Sequence, residues 1–118
     1  GDLKSIIEHN ESSLKARIGY ALLETMRGNY PEAERLYAYL TDKLPKNAEV
    51  LEGRARMYLA RGMKGFAQRD INQAFELLGG KAPATLYRLR AELNEGLGNR
   101  KAATEDIQRA EALERSQP

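Results

Sequence analysis

The stretch GNYPEAERLYAYL, residues 28 to 40, decides the fold, because the chain writes its skeleton twice more. The second copy, GMKGFAQRDINQA, runs from Gly62 to Ala74 after a step of thirty-four positions. The third, GNRKAATEDIQRA, runs from Gly98 to Ala110 after a step of thirty-six. In each copy an alanine stands five positions after the glycine (Ala33, Ala67, Ala103) and another seven before it (Ala21, Ala55, Ala91). A unit of this length is too small to bury its own apolar face, so neighbouring units must stack into an array.

Working outward from the turns, apolar residues recur at helical spacing on both sides of each glycine. Leu14, Ile18, Ala21, Leu22, Thr25 and Met26 predict a helix over 13–27, ended by Gly28 in the left-handed region that glycine adopts without strain. Asn29 or Tyr30 can cap the next helix, Pro31 suits its first turn, and the helix runs to about Leu44, where Pro45 stops it. Asn47 caps a third helix over 48–61, and a fourth follows Gly62 over 64–78. Gly79, Gly80 and Lys81 supply the extra length of the longer step. Pro83 opens a fifth helix to Leu97, and a sixth ends near Arg115. Ahead of all these, Leu3, Ile6 and Ile7 predict a short helix over 2–9. Leu3 and Ile6 stand one shorter step before Tyr37 and Leu40, which is the register of the second helix of an upstream unit. With Gly1 in front, the sequence reads as a piece of something longer.

The alanines imply close crossing of the two helices of each unit, nearer than the ~8–10 Å that larger side chains impose. Tyr37, Ile71 and Ile107 are then expected to fill the gap toward the next unit. A second regularity concerns charge. Arg54 precedes Asp70 by sixteen positions and Arg90 precedes Asp106 by sixteen, whereas the first unit has Tyr20 and Leu36 at those places. Basic and acidic partners occur together or not at all, which predicts an ion pair between the two helices of a unit.

Composition narrows the function. In 118 residues there are nineteen basic and seventeen acidic side chains, net charge +2, with the signs interleaved along every helix. That is a solvated surface rather than a polyanion footprint. No apolar run approaches the ~20 residues a membrane span needs, and no cysteine exists to build a disulfide or a thiolate metal site. The compartment stays open between cytoplasm and periplasm. His9 is the one histidine and has no partner in sequence for nucleophilic or metal chemistry; carboxylates such as Glu49 and Glu52 read as solvated charges. LGGKAP at 78–83 and GLGNRK at 96–101 lack the context of phosphate loops and read as turns. Base-reading residues at recurring places, which an RNA-binding helical array requires, are missing. No catalysis, cofactor, metal, nucleic acid or membrane insertion is expected.

The pattern G-x-x-x-x-A-x-x-x-[YI]-x-x-[LA], preceded by alanine seven positions earlier, resembles the tetratricopeptide repeat, a helix-turn-helix unit of the same period. The resemblance implies an all-α fold, a right-handed α-α superhelix of antiparallel helix pairs. It divides a single domain over 1–118 into repeats 13–46, 47–80 and 83–116, with 2–9 left over from an upstream repeat, and suits the repeat region of a larger bacterial protein. It also implies a scaffold that binds a protein or peptide along the first helix of each repeat. Carried over position by position, the groove residues are Lys15, Ile18, Gly19, Leu22 and Met26 in the first repeat. The second gives Glu49, Glu52, Gly53, Arg56 and Leu59, and the third Thr85, Arg88, Leu89, Glu92 and Glu95. The family's carboxylate clamp of two Lys, two Asn and Arg is replaced by Ile18, Leu22, Gly53, Thr85 and Leu89, so an acidic C-terminal tail is not the expected ligand. Two other readings stand beside the scaffold. One is the accessory tail of an enzyme, since Y/I-G-x-A before the turn, over about 16–53, looks like repeats that trail certain periplasmic metallopeptidases. The other is self-assembly through the terminal helices.

Overall fold

A computed structural model describes residues 11 to 117, and the expected helix over 2–9, with His9, lies outside them. Among the described residues there are six α-helices and no strand. They are α1 (Glu11–Met26), α2 (Tyr30–Lys43), α3 (Ala48–Ala60), α4 (Lys64–Leu78), α5 (Ala84–Gly96) and α6 (Arg100–Arg115), with a 3-10 turn at Gly79–Lys81. The heaviest contacts join α1 to α2, α3 to α4 and α5 to α6; lighter ones run from α1 to α3, α2 to α3, α4 to α5 and α3 to α5. Helix pairs therefore stack in chain order. The radius of gyration is 15.1 Å, against about 13 Å for a compact domain of roughly 100 residues, as an open stack requires.

The turns follow from backbone chemistry. Gly28, Gly62 and Gly98 have φ of +77°, +74° and +83°, in the left-handed region that side chains disfavour. The Asn47 side chain accepts a 3.0 Å hydrogen bond from the Val50 amide and caps α3 as expected. Asn29 stands at the cap of α2 but bonds elsewhere. Its side-chain amide donates to Glu24 at 2.6 Å, and the same carboxylate accepts from Arg27 at 3.1 Å. Glu24 is buried, so these two donors satisfy a charge that water does not reach.

All six seam alanines are buried. One core cluster joins α1, α2 and α3 through Ile18, Ala21, Ala33, Tyr37, Leu40, Val50 and Met57. A second joins α3, α4 and α5 through Leu51, Ala55, Ala67, Ile71, Leu86, Leu89 and Leu93, among others. Tyr37 and Ile71 are fully buried between units, whereas Ile107 is 39% exposed. The register of Ile107 is the same; what differs is that no described helix packs on the outer face of α6.

Both expected ion pairs form. Arg54 grips Asp70 with two bonds, Nε and Nη2 each 2.8 Å from a carboxylate oxygen. Arg90 bonds Asp106 at 2.8 Å, and the Asn94 amide donates to the same carboxylate at 3.0 Å. Asp70 and Asp106 are buried. Each arginine also touches the preceding unit, which the spacing does not reveal. Arg54 reaches the Thr41 hydroxyl on α2 at a long 3.5 Å, and the Arg90 guanidinium lies 3.9 Å from the centre of the Phe75 ring on α4.

Candidate functional groove

The first helices of successive pairs, α1, α3 and α5, lie side by side, and a cavity of about 570 Å³ opens between them. Lys15, Ile18, Gly19 and Leu22 reach it from α1, and Glu49, Glu52, Gly53 and Arg56 from α3; these sets recur at spacings of three and four, which keeps them on one helix face. Thr85, in the first turn of α5, also lines the cavity. Other positions expected on the groove do not line it. Met26, 75% exposed, sits at the end of α1 away from the cavity, and Leu59 packs against the second core cluster. Leu89 is buried in that cluster. Glu92 and Glu95 are exposed outside the cavity, and Arg88 pairs with Glu114 on α6 through two 2.7 Å bonds.

Four lining residues come from outside the expected set: Tyr37, Ala48, Leu78 and Pro83. Leu78 and Pro83 bracket the 3-10 turn that holds the extra length of the longer step. The sequence signal for them is thus the change of spacing between the second and third turn glycines. Tyr37 reads from sequence as a core residue, and it is one; fully buried, it backs the cavity from behind Gly53, against which its hydroxyl packs.

The electrostatics are balanced. Lys15 and Arg56 share the cavity with Glu49 and Glu52, and Arg56 donates to Glu52 at 3.1 Å, leaving that pair internally neutralised. Ile18 and Leu22 supply the apolar wall. The Tyr37 hydroxyl is buried without a hydrogen-bond partner. Burial raises its pKa above the ordinary 10.0, with the nearby Thr25 hydroxyl and the Arg56 charge acting in the opposite direction. Thr25 is close to the phenol but not in hydrogen-bonding geometry with it, and its own proton goes to the Ala21 carbonyl at 2.8 Å. No group of three or more His, Cys, Asp or Glu side chains that could hold a metal ion is present among the described residues. Nor is any described helix long and apolar enough to cross a membrane.

Antiparallel helix pairs stacked in register, with their first helices aligned along one groove, define an α-α solenoid of the superhelical class. No family model matches the sequence, and no curated protein is significantly similar to it. Among solved structures, a tetratricopeptide repeat protein from Parabacteroides merdae ATCC 43184 is 38% identical and superimposes with a TM-score of 0.80 over 95% of this chain. The matched part is 43% of that protein's chain, so the sequence spans less than half of its length. The chain is folded as tetratricopeptide repeats, an α-α superhelix.

Proposed function

We propose that this chain is a protein-interaction module that binds an extended peptide, or a peptide-like edge of a partner, in the groove between α1, α3 and α5. The observation that carries this reading is the convergence of Ile18, Leu22, Gly53 and Arg56, on two different helices, at a single cavity. The cavity, at about 570 Å³, falls within the roughly 300–1,000 Å³ of clefts that enclose compact ligands. Three repeats, over 13–46, 47–80 and 83–116, would each contribute a first helix to this wall. The test is peptide selection against the chain, followed by exchange of Leu22→Glu together with Arg56→Ala. Binding lost with helicity and melting temperature preserved supports the groove; binding retained moves the site to the opposite face.

Self-association is a second reading, favoured by apolar exposure at both ends of the stack. Tyr20, Leu23 and Met26 are exposed on α1 and Ile107 on α6, and a head-to-tail contact between such faces is heterologous. Light scattering over a concentration series tests it, and a mass fixed at one chain at all concentrations rejects it.

A further inference from the structure

We infer that the segment bound in the groove carries charges of both signs, an acidic side chain opposite Lys15 on α1 and a basic one opposite Glu49 on α3, about three residues apart along the extended chain. This inference rests on the groove reading above and adds the chemistry of the occupant. Lys15 and Glu49 hold the same place in consecutive units, so neighbouring helices bring opposite charges to the cavity from equivalent positions. Both residues are exposed, and among the described residues neither forms an ion pair or a side-chain hydrogen bond. The other two charges on the wall, Glu52 and Arg56, bond each other at 3.1 Å, one turn apart on α3. Lys15 and Glu49 are therefore the lining charges that a ligand can meet without breaking a contact.

The pattern of the ligand follows from this wall. A segment of a single sign is attracted at one of the two residues and repelled at the other. An uncharged segment draws both from water with nothing in return. One charge of each sign meets both, and apolar side chains beside them can pack on Ile18 and Leu22. Spacing comes from the helices: α1 and α3 are in contact, packed helix axes lie ~8–10 Å apart, and an extended chain advances ~3.3 Å per residue. Thr85, at the equivalent position of α5, is uncharged, so the wall that α5 adds asks for no third charge.

The probe is a randomised library of acetylated, amidated peptides about eight residues long, selected in parallel on wild type, Lys15→Glu, Glu49→Lys and Leu22→Glu. Affinity of the tightest members is measured by fluorescence anisotropy. Wild type is expected to select peptides with one acidic and one basic residue about three positions apart, Glu49→Lys peptides with two acidic residues, and Lys15→Glu peptides with two basic ones. The best wild-type peptide should bind about threefold or more weaker to either charge variant and weaken as salt is raised. A switch in the selected charge is a readout that loss of fold cannot produce. Selection of the same charges by wild type and both charge variants, with Leu22→Glu failing to bind, overturns the charge pairing and leaves the groove standing. Absence of any peptide whose binding Leu22→Glu weakens overturns the groove reading and this inference with it.

Discussion

The hydroxyl of Tyr37 on α2 occupies the space left open by the missing side chain of Gly53 on α3. An added Cβ would meet that oxygen and lie 3.1 Å from two of the ring carbons, tighter than ordinary contact. A glycine in the middle of a helix costs ~0.5–1 kcal/mol relative to alanine, so its presence here reflects the ring that fills its place.

Tyr37→Phe is expected to stabilise the chain by about 1 kcal/mol or more, since it removes a buried donor without a partner. Gly53→Ala alone is expected to destabilise, the ~1–3 kcal/mol of overpacking exceeding the helix-propensity gain. In the Tyr37→Phe background that penalty shrinks. Urea denaturation of the four species of the cycle measures the coupling, and strictly additive effects would contradict the contact.

Because burial raises the folded-state pKa of Tyr37, its contribution is complete below the unfolded value near 10 and is lost as pH rises through the folded value. Wild type should therefore lose stability faster than Tyr37→Phe above about pH 10. Parallel decline of the two would reject the assignment.

Asp70 is 2% exposed, and its charge is compensated by the two bonds from Arg54. Asp70→Ala strands the guanidinium and is expected to cost ~3–5 kcal/mol. Converting the pair together, Arg54→Tyr with Asp70→Leu, installs the combination that Tyr20 and Leu36 form in the first repeat, and is expected to cost far less than either single change. Chemical denaturation checks both, and a double variant worse than each single one would show that the pair is needed for more than mutual neutralisation.

Ile71 and Ile107 share a register position but not an environment, being fully buried and 39% exposed respectively. Ile71→Ala is expected to cost ~2–5 kcal/mol, and Ile107→Ala about 0.5 kcal/mol or less. Ala67→Leu, at the buried seam, should cost ~1–3 kcal/mol through overpacking. Comparable losses for the two isoleucines would mean that the outer face of α6 is covered in solution.

Arg88 holds the Glu114 carboxyl below its ordinary 4.5 through their hydrogen bonds. A lowered folded-state value contributes stability above the unfolded pKa and loses it as pH falls through the folded one. The difference between wild type and Glu114→Gln should therefore be present at neutral pH, fade below about pH 4.5 and shrink with added salt, because the pair is exposed. A difference that persists in acid would assign the effect to something other than this pair.

The recurrence of glycine and alanine was enough to specify the helices, their pairing and the close seams, since turn conformation and small-residue crossings depend on residues near one another in the chain. The Arg–Asp pairs were legible for the same reason: two equal spacings of sixteen carry both partners, and both fall at the contact between α3 and α4 or α5 and α6. The positions on α1 and α3 that line the cavity were named through the family resemblance, and their spacings of three and four keep each set on one helix face. Tertiary stacking decided the rest. It turned Leu89 into core, paired Arg88 with Glu114, brought Leu78 and Pro83 to the cavity, left Ile107 in water, and set the Tyr37 oxygen against Gly53. Those outcomes depend on how far one helix pair is displaced and rotated relative to the next, a quantity fixed by the packing of side chains distant in sequence and written in no local period.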